Sequence, residues 1–247
     1  MANRRARPNG LNVTIDGVEM SAVEGESVLD VARRAGAAIP TLCYLDGLSV
    51  HGGCRVCLVE VDGEHAPRLA CSTPVTDEME VRTATEAITE HRRIVVELLF
   101  AEGNHICAVC VSNGSCELQD LASEVGMDHV RFPYQYPDRA VDASHPKYVF
   151  DPQRCILCTR CVRACAEIEG AHVWDVAARG ADSYLVTELN LPWGEAPSCT
   201  WCGKCVTVCP TGALAFKGRA IGEMEHDTDL VGFLARARTE GEWEGRS

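Results

Sequence analysis

"CILCTRCVRAC" occupies residues 155–165, and "CTWCGKCVTVC" occupies residues 199–209. The two runs share the spacing C-x2-C-x2-C-x3-C at an offset of 44 residues, and the second continues into Pro210. Each sets three thiols close together and places a fourth where a following helix carries it away. This is one metal-binding loop, duplicated. Zinc also takes Cys-x2-Cys pairs, but its ligands come two at a time from separate knuckles. Three crowded thiolates, twice over, suit cubanes instead, with the first three of each run on one [4Fe–4S] cluster and the fourth on the other. Cys155, Cys158, Cys161 and Cys209 are therefore expected on one cluster. Cys199, Cys202, Cys205 and Cys165 are expected on the second.

Upstream, "NHICAVCVSNGSC" (residues 104–116) holds Cys107, Cys110 and Cys116, three thiols where a cubane needs four donors. The chain has 15 cysteines. With the repeats and an N-terminal foursome assigned, only these three remain. Imidazole replaces thiolate at iron in Rieske centres, and His105 is the nearest candidate. A lone histidine here would otherwise be read as a cation at the end of the preceding helix. The incomplete three-cysteine set favours a ligand, with Asn104 and Gln119 as candidates for hydrogen bonds around the site.

The N-terminal foursome is Cys43, Cys54, Cys57 and Cys71, spaced C-x10-C-x2-C-x13-C. A close pair with two outlying cysteines suits a [2Fe–2S] site, although the spacing differs from the plant-type C-x4-C-x2-C. Gly52 and Gly53 precede Cys54, where small residues let backbone amides approach sulfur. Arg160, Arg163 and Lys204 stand between ligands of the repeats and read first as solvated loop charges, with raising a potential or holding a partner's carboxylate as the alternatives, while Trp201 is expected to shield its cluster. The remaining histidines, His51, His65, His91, His129, His145, His172 and His226, show no ligand spacing.

Local patterns place these sites on elements. "LNVTIDG" and "VEMSAVEG" read as a hairpin turning at Asp16-Gly17. Ser27 caps a helix over "VLDVARRAG", ending at Gly36. "CLVEVDGEHAPRLAC" reads as two strands joined around Asp62-Gly63, which together suggest a β-grasp. "TEAITEHRRIVVELLFAEG" is an amphipathic helix with Ile88, Ile94, Val95, Leu98 and Leu99 on its apolar side, and "CELQDLASEVG" is a short one. The expected fold class is α+β: a β-grasp [2Fe–2S] ferredoxin-like domain, a short helical cluster segment, then a bacterial-type 2[4Fe–4S] ferredoxin domain. The boundaries are a basic disordered arm at 1–10, the first domain at 11–82, the histidine/cysteine segment at 83–130, and the two-cluster domain with its connector at 131–217. A charged tail at 218–247 carries one helix around "LVGFLARA", suited to binding a partner.

Composition narrows the function. A charged fraction of 24% beside 46% hydrophobic residues describes a globular protein rather than a disordered one. So many cysteines in an odd number argue against a disulfide framework. A net charge of −13 disfavours nucleic acid. Arg4-Arg5 is not followed by an apolar h-region, and no run has the length of a transmembrane helix. The expected compartment is the reducing cytoplasm. There is no G-x-G-x-x-G, no P-loop and no acid–base constellation, so the chain is expected to bind neither NAD nor substrate.

The order of sites resembles the N-terminal part of the large iron–sulfur subunit of respiratory complex I, and the module that opens iron-only hydrogenases and NAD-dependent formate dehydrogenases. In those proteins a large domain follows, whereas this chain runs about 38 residues past Cys209. "NHICAVCVSNGSCELQDLA" and "DPQRCILCTRCVRAC" are similar to the HoxU family, the diaphorase-side electron-transfer subunits of NAD-reducing nickel–iron hydrogenases. In the broader family the histidine stands four residues before its first cysteine, where this chain has Gly103. The resemblance implies one [2Fe–2S] and three [4Fe–4S] clusters. It also implies as partners an FMN/NAD(H)-binding diaphorase subunit and the small and large subunits of a nickel–iron hydrogenase. The alternatives are the same module in a formate dehydrogenase or complex I-like assembly, an enzyme in its own right, or a regulatory or structural metal protein.

Overall fold

The structure, a computed structural model, describes residues 10–241. The expected basic arm thus lies outside the described residues except for Gly10. Two compact units are present, one made of residues 10–41 and 54–95 and the other of residues 42–53 and 96–241.

The first unit is built on a hairpin of β1 (Gly10–Ile15) and β2 (Val18–Val23). Asp16 and Gly17 both take positive φ, 48° and 83°, as a two-residue turn matched to strand twist requires. Helix α1 (Val28–Arg34) follows, opened by a reciprocal capping box between Ser27 and Asp30, and it buries Val28, Leu29, Val31 and Ala32. β3 (Leu58–Val61), β4 (Arg68–Leu69) and β5 (Met79–Arg82) complete a five-stranded sheet in the order β2-β1-β5-β3-β4. β1 and β5 are parallel and central, and the remaining neighbours are antiparallel. This mixed sheet with its helix is the β-grasp order. Strand β5 was not read from the sequence, because it has one buried apolar residue, Val81, in four.

Helix α2 (Glu86–Glu102) runs out of the first unit into the second. Its buried face differs from the expected apolar stripe: Ile88, Arg92, Val96 and Glu97 are buried, and Leu98 is exposed. Hydrogen bonding makes the polar members tolerable inside. Arg92 donates to the carbonyls of Val56, Leu58 and Thr83, and Glu97 accepts both the backbone N–H and the guanidinium of Arg131.

In the second unit come α3 (Glu117–Glu124), β6 (Tyr148–Phe150) and α4 (Arg160–Arg163), which continues into a π-helical turn at Ala164–Glu169. A hairpin of β7 (Trp174–Ala177) and β8 (Tyr184–Thr187) follows, then α5 (Lys204–Thr207) and β9 (Leu214–Phe216), which pairs with β6. Tyr148, Phe150, Trp174, Trp193, Val206 and Leu214 form its core. Helix α6 (Asp229–Glu240) is the one helix expected in the charged tail. Val231 packs with Leu48, Ala164 and Val208, so apolar surface of this helix is covered within its own unit.

Candidate metal centres

The two cysteine runs fold alike. Leu157 and Thr159 take φ of 51° and 58°, and their counterparts one repeat later, Trp201 and Gly203, take 63° and 75°. Left-handed backbone costs a non-glycine residue about 1–2 kcal/mol, so three of these four positions store strain to hold the loop. Strain of this kind gathers at ligand clamps. The curl turns amides inward: the Leu157 N–H points at Cys155 Sγ at 3.5 Å, and the Val173 N–H at Cys165 Sγ at 3.3 Å. Helices α4 and α5 then carry Cys165 and Cys209 away from their own loops.

The result is an exchange. One cavity of about 380 Å³ is lined by Cys155, Cys158, Cys161 and Cys209. A second, of about 320 Å³, is lined by Cys165, Cys199, Cys202 and Cys205. Burial pushes the Cys155 and Cys158 thiols up to about 12 and raises those of Cys161 and Cys205 well above their ordinary value, so thiolates there are favoured only beside a cation. Trp201 lines the second cavity but is 45% exposed, and Cys202 is exposed beside it.

A third cavity, about 340 Å³, brings together His105, Cys107, Cys110 and Cys116. Its wall carries orphaned polar atoms: His105 Nε2 and Ser112 Oγ are buried without a hydrogen-bond partner. Burial, aided by the charge of Arg154, holds the imidazole down to about 4, which keeps it in the neutral, metal-ligating form. Gly212 forms part of the cradle, since a Cβ there would stand 2.5 Å from Cys110 Sγ. His105 itself leans over Gly103, whose Cβ would lie 3.0 Å from Nε2. The Gln153 carbonyl, 2.4 Å from that Cβ, and the His105 ring together occupy the space a side chain at position 103 would fill. Gln119 bonds Asn113 and the Gly114 N–H, and so braces the loop between Cys110 and Cys116. The Asn104 N–H donates to the Gln153 carbonyl, and its side-chain oxygen finds no partner.

Of the N-terminal foursome, Cys54, Cys57 and Cys71 belong to the first unit and Cys43 to the second. Arg55 takes φ of 59° between the close pair, as the repeat loops do, and the Ala70 N–H donates to the Cys57 carbonyl. Gly53 also makes room for a neighbour, because a Cβ there would strike the His51 ring at 2.4 Å.

The cations between ligands are buried or paired. Arg160, 2% exposed, bonds both carboxylate oxygens of Glu117 and the Tyr44 carbonyl. Lys204 pairs with Glu169. Arg163 is buried and donates to the carbonyls of Cys43, Ser49 and Cys158. Sequence reasoning missed His145, which is buried in contact with the rings of Tyr148, Trp193 and Trp201 beside the second cavity. Its spacing to any cysteine carries no signal, so only the fold brings it there.

Three families match successive parts of the chain. Residues 9–86 match a 2Fe-2S iron-sulfur cluster binding domain. Residues 92–131 match the NADH-ubiquinone oxidoreductase-G iron-sulfur binding region, and residues 146–215 the ferredoxin-like domain of NADH-quinone oxidoreductase subunit 3. The NAD-reducing hydrogenase HoxS subunit gamma of Cupriavidus necator is 36% identical over 208 residues, 84% of this chain and 87% of that protein. The NADPH-Fe(3+) oxidoreductase subunit alpha of Geobacter sulfurreducens is 36% identical over 84% of this chain, which spans only 24% of that longer protein. A chain from the crystal structure of an NAD+-reducing [NiFe]-hydrogenase in the H2-reduced state superposes with a TM-score of 0.79 at 35% identity, covering 93% of this chain and 98% of that one.

Proposed function

This chain belongs to the family of the NAD-reducing hydrogenase gamma subunit, and from that membership we propose that it is an iron–sulfur electron-transfer subunit of a cytoplasmic hydrogen:NAD+ oxidoreductase. It carries electrons between an FMN/NAD(H)-binding diaphorase subunit and the small and large subunits of a nickel–iron hydrogenase. One observation carries the reading: twelve expected donors, two foursomes expected from spacing and the third from the cysteines left over, line three separate cavities, four to each. Among the described residues no three such side chains converge closely enough for a single ion. Donors spread round a cavity are what a four-iron core needs.

In this assignment Cys155, Cys158, Cys161 and Cys209 hold one [4Fe–4S] cluster, and Cys199, Cys202, Cys205 and Cys165 the second. His105, Cys107, Cys110 and Cys116 hold the third. Cys43, Cys54, Cys57 and Cys71 hold a [2Fe–2S] cluster, an assignment resting on their spacing and on the domain match over residues 9–86. The bound clusters supply one-electron storage at potentials set by hydrogen bonds, charge and exposure. The protein's own part is to hold strained loops open, aim amides at sulfur and keep water out. The proposed role is conduction.

The test is iron and acid-labile sulfide on anaerobically purified protein, with EPR of the reduced sample. About 14 irons per chain and four distinct centres are expected. About 10 irons, with two cubanes and one [2Fe–2S] centre, would remove the histidine-ligated cluster from the proposal. Hydrogen-dependent NAD+ reduction by the co-purified assembly supports the named partners; formate-dependent reduction moves the chain to the alternative assembly.

A further inference from the structure

Of the three cations set among the cluster ligands of the repeats, two have carboxylates: Arg160 is held by Glu117 and Lys204 by Glu169. Arg163 forms no ion pair among the described residues; the carboxylate acting on its charge is that of Glu167, which is bonded to Ser49 rather than to the guanidinium. It is 8% exposed, and its guanidinium is spent on Thr159 Oγ1 and on the carbonyls of Ser49, Cys43 and Cys158. A buried charge bonded only to neutral groups is strongly unfavourable unless a negative charge lies near. Glu167 supplies part of that charge, and the bond partners show where more of it would act. Nη2 alone donates to the Cys43 carbonyl at 2.6 Å and to the Cys158 carbonyl at 3.1 Å. One nitrogen therefore ties the backbone of a [2Fe–2S] ligand to that of a [4Fe–4S] ligand. Cys43, Cys158 and Arg163 all lie within the second unit.

Resting on the ligand assignment above, we infer that Arg163 is a positioning residue shared by two clusters. Its cation is the common counter-charge of the [2Fe–2S] site at Cys43 and the [4Fe–4S] site at Cys158, raising both reduction potentials and fixing the two ligand loops side by side for electron hand-over. The hand-over is one electron leaving one cluster and arriving on the other, with no proton moved and no bond broken. Planar geometry matters, because a guanidinium can serve several carbonyls at once and an ammonium cannot do so in the same fork.

The experiment is an EPR-monitored redox titration of the anaerobically purified holo chain and of Arg163→Gln. The expected result is a negative shift in two midpoint potentials, those of the [2Fe–2S] centre and of one cubane, with the other two cubanes unmoved and iron content unchanged. Arg163→Lys, which keeps the charge, returns both potentials towards the starting values. Unmoved potentials in Arg163→Gln, or a uniform shift of all four centres, overturn the inference. If Arg163→Gln loses iron, the unsubstituted chain decides: reduction of the neighbouring cubane should accelerate relaxation of the [2Fe–2S] signal, and its absence overturns the shared site. Cys43→Ser separates the two levels. A [2Fe–2S] signal unaltered by that change refutes the ligand assignment itself, whereas an altered signal with unmoved Arg163→Gln potentials refutes only the role of Arg163.

Discussion

His145 presents Nε2 to Cys199 Sγ at 3.9 Å, while its Nδ1 accepts the backbone N–H groups of Lys147 at 3.1 Å and Tyr148 at 3.3 Å. Two amides on Nδ1 leave it no proton, so the ring proton sits on Nε2 and is directed at sulfur. A hydrogen bond to a ligand sulfur stabilises the more negative, reduced cluster. His145→Phe keeps an aromatic ring among Tyr148, Trp193 and Trp201 but removes the donor. The midpoint potential of the cluster proposed at Cys199 should fall by roughly 20–65 mV, the one-electron equivalent of about 0.5–1.5 kcal/mol. Potentiometric EPR titration checks this, and an unchanged potential would show that the contact is packing alone.

His105 offers a direct count. His105→Ala should lose the third cubane, so that iron falls by about four per chain, while the EPR signals of the other centres persist. His105→Cys restores a fourth thiolate and should restore the iron with an altered signal. Full iron content in the alanine variant would assign the fourth position to another donor.

Gly212 is a test by crowding. Alanine there would place a methyl group 2.5 Å from Cys110 Sγ and 3.3 Å from Ser112 Oγ. Gly212→Ala should lower iron occupancy at the third site selectively, with the cavities of the two repeats filled as before. Elemental analysis with EPR distinguishes this from general unfolding, which would empty all of them.

Much of this was legible because the signals are local. The Asp16-Gly17 turn, the Ser27 cap and the cysteine spacings are each decided within a few residues. What escaped was non-local. β5 exists because β1 and β3 flank it, and the β7–β8 hairpin lies between the repeats without a two-residue turn signal. The left-handed loop positions were half visible: Gly203 hinted at one, but Leu157, Thr159 and Trp201 give no sign of positive φ in their identity. On α2 the buried Arg92 and Glu97 defeat a reading by hydrophobicity, since hydrogen-bond partners far along the chain make them interior residues.

Removing the clusters should make stability pH-dependent on the alkaline side. In the folded chain without metal, burial raises the Cys116, Cys155 and Cys158 thiols from an ordinary 9.0 to about 12. Between those limits the unfolded chain has lost protons that the folded chain still binds, so stability declines as pH rises. It is fully present below about pH 9. Urea unfolding of chelated protein across pH 8–11 should show this decline. The cluster-loaded chain, whose ligands are already deprotonated, should lack it.

The exchange of fourth cysteines between the two runs has a historical meaning. A polypeptide with a single run would have its last thiol pointing away from its own loop and could complete no cubane alone. Two such chains facing each other would complete two. The shared left-handed positions at 157/201 and 159/203 give the two loops the same local backbone form. Each ancestral half would then have been obliged to associate before it could bind iron, and joining the copies in one polypeptide made that association independent of concentration.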